Sequence, residues 1–106
     1  MELLVEGKDF EVTQDVREFL EEKLKKISFV EEKVTKAWVL LTKTPANQVM
    51  CEVKVHLDHS DFFVSHEHPD WKISITDAIN KLHDKVIKER KKRVDKRLKE
   101  ARTKRT

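Results

Sequence analysis

Residues 49–57, VMCEVKVHL, alternate without a break: Val49, Cys51, Val53, Val55 and Leu57 fall on one side of an extended chain, Met50, Glu52, Lys54 and His56 on the other. A period of two over nine residues is the mark of a β-strand with one buried and one wetter face. The preceding stretch TKAWVLLTK, 35–43, repeats the pattern with Ala37, Val39 and Leu41 inward and Trp38 and Leu40 on the other side. Between the two, TPANQ carries the proline and asparagine of a tight turn. DHSD then leads to a shorter strand, FFVSHEH, before Pro69, which completes a three-strand meander. Upstream, ELLVEG sets Leu3 and Val5 on one face of a further strand, and Gly7 is expected to permit the turn that follows.

Two helices flank the meander. Thr13 is placed to cap the first, Asp15 suits its first turn, and Val16, Leu20, Leu24 and Ile27 recur at helical spacing, which predicts a helix over about 14–27. Asp70 is placed to cap the second, which begins near Trp71 and meets no proline or glycine through residue 106. Trp71, Ile75, Ile79, Leu82 and Val86 form its apolar stripe. Continued in register, that stripe reads Arg90, Arg93, Arg97, so the buried face ends at about residue 87 while the helix-forming composition goes on. The order β-α-β-β-β-α predicts an α+β fold, a four-stranded sheet with two helices packed on one face and a long second helix. At 106 residues there is room for one such domain. The division expected is 1–87 as the folded domain and 88–106 as a basic helical C-terminal extension of the second helix.

Charge follows the same division. The net value of +3 combines −5 over residues 1–87 with +8 over 88–106, where eleven Lys and Arg face three acids. Like charges three and four residues apart destabilise an isolated helix by about 0.2–0.5 kcal/mol per pair, so an overhang of this kind calls for an anionic partner. A second cationic stripe, Lys81, Lys85, Lys88, Lys92 and Lys99, begins inside the packed region. Nucleic acid fits such a surface because each phosphate contacted releases counterions. RNA is favoured over DNA, since no known DNA-reading signature is present. An anionic membrane fits less well: Ile87, Val94, Leu98 and Ala101 make a thin apolar stripe with no aromatic residue.

Other chemistries find little support. Gly7 is the only glycine, which excludes dinucleotide fingerprints and P-loops, and Cys51 is the only cysteine, which excludes an internal disulfide. No apolar run approaches a membrane span or a signal-peptide core, so a cytoplasmic setting is expected. His56, His59, His66 and His68 gather around one hairpin, with His66 and His68 on one strand face, a spacing a metal could use. Yet His56 faces outward and Cys51 could add a thiolate only from the opposite face of the sheet. Asp58, Asp61, Glu67 and Asp70 lie nearby, as polar loops commonly arrange. Neither a metal, another cofactor nor an enzymatic activity is expected. Trp38, on the outer sheet face, could stack a base or simply pack at a rim.

The stretch LVEGKDFEVTQDVREFLEEKLKKI, 4–27, resembles the opening of the ribosome hibernation promoting factor and ribosome-associated inhibitor family, and DWKISITDAINKL, 70–82, resembles its second-helix entry. Thr76 stands where that family usually has Asp, and Lys85 where Gln is common. The resemblance implies a fold similar to double-stranded RNA-binding domains. It also implies docking on the small ribosomal subunit, against 16S rRNA in the messenger and transfer RNA channel, with translation inhibited by occupancy. Carried onto this chain, the rRNA-binding residues are Arg17, Lys23 and Lys26 of the first helix and Lys81, Lys88 and Arg90 of the second. The charge stripe adds Lys85, Lys91, Lys92, Arg93, Lys96 and Arg97. Without the second domain of the long members, the chain is similar to the short class, some members of which act with a separate ribosome-pairing factor; a monomer is expected. A generic duplex-RNA binder and a metal-dependent enzyme built on the hairpin histidines are the alternatives.

Overall fold

The computed structural model describes residues 2–26, 34, 36–57 and 60–103, with side chains described as far as Glu89. The elements are β1 (Glu2–Lys8), α1 (Gln14–Lys25), β2 (Lys36–Lys43), β3 (Val49–Leu57), β4 (Ser60–His68) and α2 (Trp71–Thr103). This is the β-α-β-β-β-α order expected, an α+β domain with a four-stranded sheet in the order β1-β2-β3-β4. Because α1 carries the chain back between β1 and β2, those strands pair parallel; β2 and β3, joined by a tight turn, and β3 and β4 pair antiparallel. The first of these turns rests on Asn47, in the left-handed region at φ 60°, and on the Thr44 amide, which donates to the Gln48 carbonyl at 2.8 Å.

Both helix starts form as their sequences suggest. The Val16 amide donates to Thr13 Oγ1 at 3.4 Å, and the Lys72 amide to Asp70 Oδ1 at 2.9 Å. α1 ends at Lys25, so Ile27 lies outside the described residues, as do Asp58 and His59. β4 begins at Ser60, two residues ahead of the expected Phe62.

Gly7 has a different role from the one expected. It sits inside β1 with a negative φ, and Asp9 makes the turn at φ 54°. Glycine is required for close approach instead: a Cβ at residue 7 would lie 2.1 Å from the Phe10 carbonyl oxygen.

The core forms between one sheet face and the two helices. Val16, Leu20 and Leu24 of α1 and Ile75, Ala78, Ile79, Leu82 and Val86 of α2 are buried against Ala37, Val39, Leu41, Cys51, Val53 and Val55. Each buried Val, Leu or Ile among them contributes about 1.5–3 kcal/mol by leaving water. Ser74 is the one buried polar residue among those described, and its hydroxyl lies 2.8 Å from the Val49 carbonyl and 3.0 Å from that of His66. It ties the first turn of α2 to both strands beneath.

Val86 is the last buried side chain described on α2, and Ile87 is already 47% exposed. The helix backbone nevertheless runs unbroken to Thr103. At 33 residues it spans about 50 Å, well beyond the reach of a nine-residue strand. The radius of gyration, 16.6 Å, accordingly exceeds the ~13 Å of a compact chain of this length.

Candidate nucleic-acid interface

The two helices carry the cations singled out in the sequence, and their surroundings differ. On α1, Arg17 is half-buried and Lys23 Nζ lies 5.3 Å from the centre of the Phe19 ring, and at its C-terminal cap Lys26 Nζ is 3.5 Å from Glu22. Exposed pairs of this kind contribute about 0–1 kcal/mol each and leave the cations available to a stronger anion.

On α2, Lys81 and Lys85 stand one turn apart along the free edge of the sheet. Lys81 Nζ donates to the Ser65 carbonyl at 3.3 Å and Lys85 Nζ to the Phe63 carbonyl at 2.8 Å. Both carbonyls belong to β4, an edge strand, so the two ammonium groups cover backbone acceptors that an added strand would otherwise engage. This role was hidden from sequence reasoning because it depends on which strand lies at the edge. Lys88 follows on the same side, exposed and without a partner among the described residues. Arg90, Lys91, Lys92, Arg93, Lys96 and Arg97 lie on the helical backbone that continues from it; their side chains are outside those described.

Lys81, Lys85 and Lys88 thus form one row, whereas no described contact joins Arg17, Lys23 or Lys26 to it. The helices meet instead at Phe19 and Trp71, whose rings pack edge to face with centres 5.4 Å apart. Beside that pair opens a cleft of about 270 Å³ lined by Asp15, Glu18, Glu22 and Lys72. The aromatic contact and the acidic cleft were not foreseen, although Phe19 and Trp71 each stand one position off an apolar stripe or at its start.

The described histidines of the hairpin, His56, His66 and His68, are held by the protein's own groups. His56 Nδ1 lies 2.7 Å from Asp61 Oδ1, His66 Nε2 3.1 Å from Asp77 Oδ2, and His68 Nδ1 accepts from the Asp70 amide at 2.9 Å. His56, hydrogen-bonded to it, holds the Asp61 carboxyl below its usual range, with Lys54 at 3.8 Å adding to the effect. Among the described residues no three His, Cys, Asp or Glu side chains come together as a metal site would need. One expectation is corrected: Cys51 shares the inner face with His66, its cross-strand partner, rather than opposing the whole histidine group. Burial, and then the neighbouring Glu52 charge, push the Cys51 thiol up to about 12, so it offers no thiolate. On the outer face, Lys36 and Lys54 place their ammonium groups 5.1 and 5.2 Å from the centre of the Trp38 ring, which a stacking base would have to displace.

Residues 3–95 match the family described as sigma 54 modulation protein / S30EA ribosomal protein. The chain belongs to that family. Among its relatives, the ribosome hibernation promoting factor of Azotobacter vinelandii is 24% identical over 95 residues, covering 90% of this chain and 88% of its own. In fold, the S30EA-family chain superposes on a ribosomal subunit interface protein from Coxiella burnetii with a TM-score of 0.78 at 18% identity, covering 85% of this chain and 98% of that one. It is also similar to the N-terminal domain of Thermus thermophilus Protein Y, with a TM-score of 0.73 at 24% identity, covering 81% and 96%. No described helix is long and apolar enough to cross a membrane.

Proposed function

We propose that this S30EA-family protein is a ribosome hibernation factor that binds the small ribosomal subunit in the messenger and transfer RNA channel and inhibits translation by occupying it. The observation that carries the reading is α2: the helix continues 17 residues past Val86, its last described buried side chain, through most of the segment 88–106 that carries the +8 charge. Residues 1–87 supply shape and residues 88–106 supply charge to 16S rRNA. Lys88, Arg90, Lys91, Lys92, Arg93, Lys96 and Arg97 neutralise phosphates along the overhang. Lys81 and Lys85 can do so from the β4 edge, since an ammonium donating once to a carbonyl keeps two further protons. Arg17, Lys23 and Lys26 add contacts from α1. No bond is made or broken, and the protein acts as a cytoplasmic monomer in stoichiometric amounts, alone or beside a separate ribosome-pairing factor. The A. vinelandii relative, named for ribosome hibernation, supports the biological setting.

Co-sedimentation with small subunits across a salt series tests this. Each phosphate contact contributes about 0.7–0.9 to the slope of log affinity against log salt. Replacing Lys88, Lys91, Lys92 and Arg93 together by Ala therefore lowers the slope by about three and abolishes co-sedimentation at physiological salt. Binding that is indifferent to salt, or intact in that variant, refutes the assignment. A free RNA duplex leaves the protein on the subunit; displacement by it would indicate a generic duplex binder.

A further inference from the structure

The face of the sheet turned away from the helices is organised in rows by the strand register. Leu4, Trp38, Lys54 and Phe63 are cross-strand neighbours in one row, and Glu6, Leu40, Glu52 and Ser65 in the next. Between these rows lies a groove of about 180 Å³ with Leu4, Trp38, Leu40 and Phe63 as its apolar lining. Leu4 and Phe63, on the two edge strands at either end of that row, are 38% and 49% exposed, high for large apolar side chains on a wet face.

The acids around it divide into two kinds. Glu2 pairs with Lys36 at 3.9 Å, and Asp61 pairs with Lys54 and His56. Glu6 and Glu52, which flank Leu40 on either side, have no hydrogen bond or ion pair with another described residue. Lys54, two residues along β3 from Glu52, is directed at Asp61 and the Trp38 ring, and Lys8, two residues along β1 from Glu6, makes no ion pair with it. Across the whole face, five carboxylates (Glu2, Glu6, Glu52, Asp61, Glu67) outnumber three lysines (Lys8, Lys36, Lys54), so this side repels phosphate where α2 attracts it.

We propose that the groove docks a short basic segment of a partner protein: one aliphatic or aromatic side chain seats on the apolar lining, and an Arg or Lys on each side of it pairs with Glu6 and Glu52. The two glutamates stand two strand spacings apart, about 10 Å. In an extended segment, residues i and i+4 project on the same side as i+2 at about 13 Å, within reach of flexible cationic side chains. The matching pattern is cation, any residue, apolar residue, any residue, cation. Arginine is the better cation because its planar fork pairs a carboxylate bidentately. The site is independent of the ribosomal reading, for its test uses the free protein and no ribosome.

The test is an NMR titration of the full chain with an acetylated, amidated Arg-Ser-Leu-Ser-Arg peptide. Shifts confined to Leu4, Glu6, Leu40, Glu52, Phe63 and the Trp38 indole are expected. The same peptide with Ser in place of Leu binds about tenfold more weakly, from the apolar area lost. Glu6→Gln with Glu52→Gln also weakens binding about tenfold, while the melting temperature of that double variant stays put, since neither carboxylate has a partner among the described residues to lose. Shifts centred on α1 or α2, equal binding of the leucine-free peptide, or equal binding by the double variant would each overturn the proposal. So would an oligouridine probe that shifts the groove residues, which would make the face a nucleic-acid surface. Concentration-dependent self-association that disappears in the double variant would give the groove to a second copy and likewise overturn assignment to a foreign segment.

Discussion

From Trp71 to Val86, α2 lays Ile75, Ile79, Leu82 and Val86 against the sheet; from residue 90 the same register reads Arg90, Arg93 and Arg97 in the sequence. The backbone is helical in both halves. The difference separates two things that usually go together. Helix-forming composition without proline or glycine is enough to continue the helical backbone, whereas anchoring needs a stripe that leaves water. In this chain the first half holds the fold, and the second is the segment proposed to meet a partner.

Exchanging the two chemistries breaks the comparison most severely in the packed half. Leu82→Arg puts an unpaired guanidinium where Leu82 is fully buried, and the domain is expected to lose its cooperative melt altogether. A folded Leu82→Arg protein by circular dichroism and thermal melting would mean that α2 can lift from the sheet, and the distinction between halves would fall.

The sheet beneath that half offers a smaller effect with a defined pH window. The Cys51 thiol is raised from an ordinary 9.0 to about 12, so the folded state keeps the proton while the unfolded chain releases it. Stability from this group is fully present below about pH 9 and is lost as pH rises toward 12, a span worth about 4 kcal/mol. Chemical denaturation of the wild type and Cys51→Ala at pH 8 and pH 11 isolates it: the wild type loses more stability over the interval. Equal losses would place the thiol in contact with solvent.

Ser74 tests the junction where the packed half begins. Ser74→Ala removes the hydroxyl shared by the Val49 and His66 carbonyls, at a cost of about 1–3 kcal/mol, read as a lower denaturation midpoint with an unchanged m-value. No loss would show that water replaces the hydroxyl and that the junction is open.

The alternation in 36–43 and 49–57 made the strands legible, because a period of two survives in any half-buried sheet. The apolar stripes and the Thr13 and Asp70 caps did the same for the helices, because those signals are local. What was hidden is relational. That Lys81 and Lys85 cover Phe63 and Ser65 depends on β4 lying at the edge. That Glu6 and Glu52 flank Leu40 depends on the parallel register of β1 with β2, set by the crossover through α1. Gly7 was legible as a special position, but its reason, the Phe10 carbonyl close by, is a contact across a bend. The cationic overhang was plain from charge and register alone, since it needs no tertiary partner to be recognised.

The mirror of the first exchange has the smallest effect on folding and is the most telling. Arg93→Leu restores an apolar residue to the stripe that Val86 and Leu82 occupy two and three turns earlier. If residue 93 had a surface of its own fold beneath it, the substitution would stabilise the protein by the transfer of a leucine side chain, about 1.5–3 kcal/mol. Lying beyond the sheet, it is expected to move the melt by under about 0.5 kcal/mol, as exposed substitutions do. Its affinity for the small subunit should fall nonetheless, with the salt slope lower by about 0.7–0.9 for the one phosphate released. A stabilised melt with unchanged affinity would reverse both assignments, making residue 93 part of the folded unit and removing the overhang as the ribosome-facing segment.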